Sequence, residues 1–420
     1  MGADPTVVSG ALKENYAKNM AKVLWDDPQL TPALGILEKR SGKYDPSGRA
    51  FIQPIQYGDG SSISADFATA QAKAQGTSTG SSNLYTRWSC SAAKINAVAY
   101  WDRDIIDQIQ GESAMFDLAE AEMDGKMRGI RRDLARTLWG DGFGALGLIT
   151  AVSATTVTVA TDRINRFDAG DDLVASATNG GGVLRSATSS NVTQTDPDTG
   201  ILTVGVDPTG LGWAVGDSIF RKGDRQNVAS PVAQKIFGFD AWVSGTAPGA
   251  TLFNGVNRQG QWQLTGIRSN ASGKSIKKGL LDAANKLFNM GGTRVTHCFT
   301  ATDDYGSLCD TLDNVKHVAV DARQFKISFD GIELTGAQGG TIKILPEPFM
   351  PKGSAWMGDF QNGDNAYLIY SNDLVQIDDH DGNMFLRSAT APAYEARMYF
   401  FGNLVVAAPG RFCRVSNVGL

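Results

Sequence analysis

Apolar positions recur at helical spacing in three stretches of this chain. Across residues 10–25, "GALKENYAKNMAKVLW", Leu12, Tyr16, Met20, Val23 and Leu24 share one face, which predicts a short amphipathic helix limited by Pro28 and Pro32. Between Trp101 and Trp139, Phe116, Ala119, Met123, Met127, Ile130, Leu134 and Leu138 form a single stripe. Gly111 and "GDGFG" at 140–144 mark its start and stop. Glu120, Glu122 and Asp124 come first and Arg128, Arg131, Arg132 and Arg136 follow, the order that the helix dipole favours. A helix of about 28 residues would span about 42 Å, a spine rather than the core helix of a small domain. The third stripe, Ile276, Leu280, Leu281, Ala284, Leu287 and Phe288, stops at Gly291.

Elsewhere the period is two. "AFIQPIQYG" and "LYTRWSCSAAKINAVAYW" read as strands on either side of "TAQAKAQGTSTGSSN" (69–83), which holds no large apolar side chain. Residues 44–100 therefore predict a long two-stranded arm, each strand of roughly ten residues and about 33 Å. An isolated ribbon is marginal in water, so it needs a surface, and a tip with nothing to bury points to a neighbouring molecule. Residues 145–225 alternate as "LITAVSATTVTVAT" does, and they contain an echo. "FDAGDDLVAS" and "WAVGDSIFRK" both read aromatic-x-x-Gly-Asp-x-apolar, each after a Thr/Val strand, which predicts a small inserted β-barrel or sandwich. The remainder alternates, with "RVTHCFTA" as strand, "TDDYGSLCDTL" as helix and further strands to the end. The class is α+β.

Composition changes this picture little. The 48 Gly against 14 Pro, many in Ser/Thr-rich loops, fit a turn-rich β or mixed fold. A net charge of −5 excludes a polycationic nucleic-acid wrapper, so any nucleic-acid contact is local. Cys90, Cys298, Cys309 and Cys413 are widely spaced and read as reduced thiols; three His make a His-rich metal site implausible. Neither an apolar leader nor an apolar run of about 18 residues appears, so neither export by that route nor a membrane span is expected.

Candidate chemistry is thin. "RSNASGKS" (268–275) has the Gly273, Lys274 and Ser275 of a phosphate loop, but Arg268 stands where the first Gly should be. Ser275 is read instead as a helix cap. "DDHDGN" (378–383) lacks the Gly position and closing Glu of a calcium loop and reads as a turn. "MGADPT" formally matches the myristoylation pattern, with little weight. No nucleophile elbow, zincin motif or His-centred triad is present, and no carboxylate pair stands out, so no catalytic, cofactor-binding or metal-ligating residue is expected. The basic "KMRGIRRDLAR" (126–136) reads as a solvated helix face ahead of a nucleic-acid surface.

The order of these parts resembles the major capsid proteins of tailed bacteriophages, the family with the HK97-type fold. "YAKNMAKVLWDDPQL" is similar to the N-terminal arm, 44–100 to the extended E-loop and 101–140 to the P-domain with its spine. "SIKKGLLDAANKLFNMGGTRVTHCFTATDDYGSL" resembles the A-domain helix–strand–helix, and "TIKILPEPFMPKGSAWMGD" the strand, proline turn and strand before the return to the P-domain. The implied division is arm 1–43, E-loop 44–100, P-domain 101–144, inserted β domain 145–225, A-domain 226–365, returning P-domain strands 366–408 and a last A-domain strand 409–420.

What the resemblance implies is a non-enzymatic protein whose partner is itself, in hexamers and pentamers of an icosahedral shell. Phe67, Lys73, Tyr85, Arg87 and Trp88 are the implied E-loop contacts with a neighbour. Arg128, Arg131 and Arg132 are an implied lining toward double-stranded DNA held by weak nonspecific contact. Portal and scaffolding proteins, and a decoration protein, are further implied partners, without a membrane. The location implied is the virion, after assembly in the bacterial cytoplasm. Lys73 and Lys94 lie in the arm, but no feature pairs either with an Asn, so no crosslink is assumed. Lacking a long coiled-coil segment before the arm, the chain is expected to use a separate scaffold or to have lost a propeptide. The rival readings are another virion structural protein (tail or decoration) and a β-rich carbohydrate-active enzyme using the Gly-Asp repeats and eight Trp.

Overall fold

The computed structural model describes residues 31–38, 42–43, 50–60, 62–75, 84–102, 118–313, 332–335, 340–361, 364–371, 373–377, 386–387 and 392–419. The helix expected over 10–25, the first part of the spine and the turn at 378–383 lie outside them. The chain divides into two units. The larger comprises Gln29–Ile95, Arg132–Leu374 and Phe400–Leu420.

Its centre is a mixed six-stranded sheet in the order Ile267–Asn270, Phe412–Ser416, Ser354–Gly358, His297–Ala301, Thr341–Glu347, Ile332–Thr335. Phe299 sits opposite both Leu345 and Trp356. On one face lies the helix Ile276–Gly291, which buries Ile276, Gly279, Leu280, Ala283, Ala284 and Leu287 with Cys298, Met357 and Val415. Its stripe is close to that expected from the sequence, although Phe288 is 37% exposed. Ser275 caps the helix, its side chain accepting from the Lys278 N–H at 3.4 Å, and Gly292 ends it in the left-handed region (φ 61°). On the other face Trp139 stacks on Phe239 and packs against Phe299 and Trp356.

The alternating segment forms a closed barrel of six strands, in the order Ser218–Arg221, Gly147–Val152, Thr156–Val159, Ile201–Val204, Ser190–Asp196, Asp172–Ser176. Val157, Val159, Leu202 and Val204 point inward between half-exposed threonines and isoleucine, the period-two pattern made physical. The barrel is a duplication of one three-strand unit. Phe167 and Trp213, the echoed aromatics, both fill its core. Gly170 (φ 93°) and Gly216 (φ 91°) turn the chain identically. Their N–H groups donate at 2.8 Å to Val192 O and Ile149 O, and the Val192 and Ile149 N–H groups return to Asp171 O and Asp217 O at 2.9 Å. The Asp171 and Asp217 side chains accept from the Asp168 and Ala214 N–H groups three residues back, at 3.0 and 2.9 Å. Even the strand irregularities correspond, one after Ile149 and one after Val192. The halves join across Val157–Leu202 and across Ile219–Ala175, an arrangement with approximate twofold symmetry.

Also in the larger unit, Ala366–Tyr370 runs antiparallel to the end of the long strand Ala393–Val406, with Ala366 opposite Val406, and parallel to Gly42–Lys43. In the smaller unit the first part of the long strand pairs with Gln376–Ile377 and Leu386–Arg387. The spine helix is Leu118–Thr137; Met123, Ile130 and Leu134, with Leu138 just beyond, are its buried stripe.

Candidate assembly interface

The arm is a hairpin of Phe51–Gly58 and Leu84–Cys90, with Phe51 opposite Cys90, Gln53 opposite Trp88 and Gly58 opposite Leu84. The strand ends at Cys90, and after Ser91 and Ala92 the following strand Ala93–Asp102 pairs instead with Ala393–Val406. Alternation gives the ribbon two faces. Phe51, Gln53, Ile55, Trp88 and Cys90 turn inward, whereas Ile52, Pro54, Gln56, Tyr85, Arg87 and Ser89 face out.

The inward face is bound at its base to its own subunit. The Trp88 indole N–H donates to Ala407 O at 3.2 Å, and its ring meets Trp242 edge-on at 5.1 Å and Phe253 at 6.4 Å. The Tyr367 hydroxyl donates to Gln53 Oε1 at 2.7 Å while its ring packs on Phe51. Trp88 is therefore a core residue of its own chain, fully buried, and it leaves the set of expected neighbour contacts. Phe67, Tyr85 and Arg87 are exposed, Lys73 half so.

Beyond the paired strands the arm carries a helix where the sequence pattern predicts only the two strands and a polar tip. Phe67–Ala74 is a helix of eight residues, none of them buried. Asp66 caps it by accepting from both the Thr69 N–H (2.9 Å) and the Thr69 hydroxyl (2.6 Å), and these bonds hold its carboxyl below the usual value. Ala, Gln and Lys supply helix propensity without an apolar stripe, so periodicity gave no sign of it. Ile63 and Phe67 stand 83% and 78% exposed, and Tyr85 67%. These are among the most exposed large apolar side chains of the described residues.

The basic positions of the spine separate. Arg131 is exposed, and Arg128 is partly buried with its Nε donating to Asp124 O. Arg132 is committed within the subunit, paired with Asp168 at 2.9 Å and donating to Asn165 O. It belongs to a network that ties the end of the spine to the barrel. Asp133 receives Lys235 at 2.7 Å and Arg221 at 3.3 Å, and Asp168 also receives Arg136 at 3.0 Å. Arg221 reaches Asp171 at 3.0 Å, and Lys235 reaches Asp224 at 2.9 Å. Burial opposes charge on Asp133, but Lys235 and Arg221 outweigh it and hold the carboxyl below its ordinary value. Sequence reasoning missed this network, because its members lie on four separate segments.

The phosphate-loop-like run is a strand end and a capped helix, with Lys274 paired to Asp282 at 2.7 Å. Burial pushes the thiols of Cys90 and Cys413 up to about 12 and raises that of Cys298 further. Among the described residues no group of three or more His, Cys, Asp or Glu is placed to hold a metal, and no helix is long and apolar enough to cross a membrane.

The chain is similar over its whole length to a protein of the cyanophage A-1(L) capsid asymmetric unit, with 100% of each chain covered, a TM-score of 0.57 and 11% identity. The fold is the HK97-type capsid fold. Weaker likenesses of the same extent are the capsid of a native GTA particle (TM-score 0.49, 12% identity, 99% of this chain and 98% of that chain) and the holo-SrpI encapsulin complex of Synechococcus elongatus PCC 7942 (0.46, 6%, 100% and 96%). No family model and no curated protein matches the sequence.

Proposed function

We propose that this chain is the major capsid protein of a tailed bacteriophage, assembling as hexamers and pentamers of an icosahedral shell around double-stranded DNA. The observation that carries the reading is the arm: a two-faced ribbon anchored by Trp88, with Phe67 and Tyr85 exposed on its outer part, on a chain with the capsid fold. A neighbouring copy is the partner that covers them. Each such side chain, once buried, contributes about 1.5–3 kcal/mol, and a closed shell repeats the contact for every subunit. The chain's role is structural, without catalysis. Its other partners are portal and scaffolding proteins and a decoration protein, and its location is the virion after assembly in the bacterial cytoplasm.

Of the implied DNA-facing residues, Arg131 is the exposed one, and DNA contact through it would be weak and nonspecific. The test of the assembly reading is to replace residues 62–83 by a short Gly-Ser turn. The subunit should stay folded, because the tip helix buries nothing, and shells should no longer form. Shells formed at wild-type yield would remove the arm from the assembly mechanism.

A further inference from the structure

Glu347 ends the strand Thr341–Glu347 with a carboxyl that solvent does not reach. Its Oε2 accepts from the Ala33 N–H at 3.4 Å, and its Oε1 has no hydrogen-bond partner among the described residues. Above it lies the segment 31–38, whose Thr31, Ala33, Leu34 and Leu37 are buried. From Thr31 to Leu37 that segment has no titratable side chain; Glu38 follows. Lys343 on the same strand, His297 and Cys298 on the neighbouring strand, Glu333 on Ile332–Thr335, Asp303, Asp304, Tyr305, Cys309 and Asp310 on the helix Thr302–Asp313, and Tyr367 and Tyr370 on Ala366–Tyr370 are titratable groups of the packed elements, and Arg166 donates to Phe349 O two residues beyond Glu347. None of these is paired with Glu347.

A buried carboxylate without a cation is costly, whereas a neutral carboxyl is tolerated. We propose that Glu347 is a proton-dependent latch: its neutral carboxyl lets the segment 31–38 dock on the sheet, and loss of the proton releases the segment. Burial pushes this carboxyl up to about 8, against the opposing pull of the Ala33 N–H. The sign follows from linkage. Docking is strongest below the ordinary carboxylate value, weakens as pH rises above it, and reaches its weakest once pH passes the raised value. The latch stands whether or not the chain forms shells.

Hydrogen exchange of the full chain from pH 5.5 to 8.5, corrected for intrinsic exchange rates, tests it. Peptides covering 31–38 should lose protection by up to about ten-fold per pH unit, while the helix Ile276–Gly291 keeps its own. In Glu347→Gln, which carries no ionisable proton, the dependence should vanish. A flat wild-type profile, a loss shared by Ile276–Gly291, or the same pH dependence in Glu347→Gln overturns the latch. If Glu347→Gln does not fold, the wild-type profile decides alone on the first two of these outcomes.

Discussion

Lys235 Nζ lies 2.7 Å from Asp133 Oδ2 with both side chains 7% exposed, and this pair fastens the end of the spine to the segment that leaves the barrel. Arg221, on the last barrel strand, reaches the same carboxylate. The inserted barrel is thus fixed through charge to the end of the spine, Arg132–Arg136, and not only by its two chain connections.

Asp133→Ala should destabilise the subunit by about 3–5 kcal/mol, because it leaves Lys235 buried and half-paired. Denaturant unfolding measures it. The pH dependence has a definite sign: a carboxylate held below its ordinary value contributes fully above that value and loses the contribution as pH falls through the lowered one. Wild type should therefore lose more stability on acidification than Asp133→Ala does.

Gly170→Ala and Gly216→Ala should each cost about 1–2 kcal/mol, and the two costs should be similar. A Cβ at either position meets nothing within 4 Å, so only the left-handed backbone is penalised. Unequal losses, read by thermal unfolding, would contradict the equivalence of the two barrel halves.

Residues 144–226 expressed alone should fold, since the barrel closes on itself around its own core of Val157, Leu173, Leu202, Trp213 and Ile219. A cooperative thermal transition with a β-rich circular dichroism spectrum is the expected result.

Trp88→Ala and Phe67→Ser should separate folding from assembly. The first empties a core site between Trp242 and Phe253 and should cost about 3–5 kcal/mol in the isolated subunit. The second, at an exposed position, should change subunit stability by less than about 0.5 kcal/mol while slowing or blocking association.

What the sequence made legible was whatever one element encodes by itself. The stripe through Met123, Ile130 and Leu134, the cap at Ser275 and the paired Phe167 and Trp213 turns each rest on neighbours within a few residues. What stayed hidden depends on distant partners. Which face of the ribbon Trp88 occupies is decided by Trp242 and Ala407, and the expectation that it meets a neighbour fails there. Arg132 looked solvated until Asp168 was brought to it by the barrel. The burial of Glu347 follows from a helix more than 300 residues earlier, recorded in no local pattern.

The measurement that tests the central claim most directly is negative-stain electron microscopy of the purified chain across a concentration series, alone and with a co-expressed scaffold. Closed shells, tubes, or rings of five or six subunits are the predicted result. A monodisperse monomer at every concentration, with and without scaffold, would contradict it.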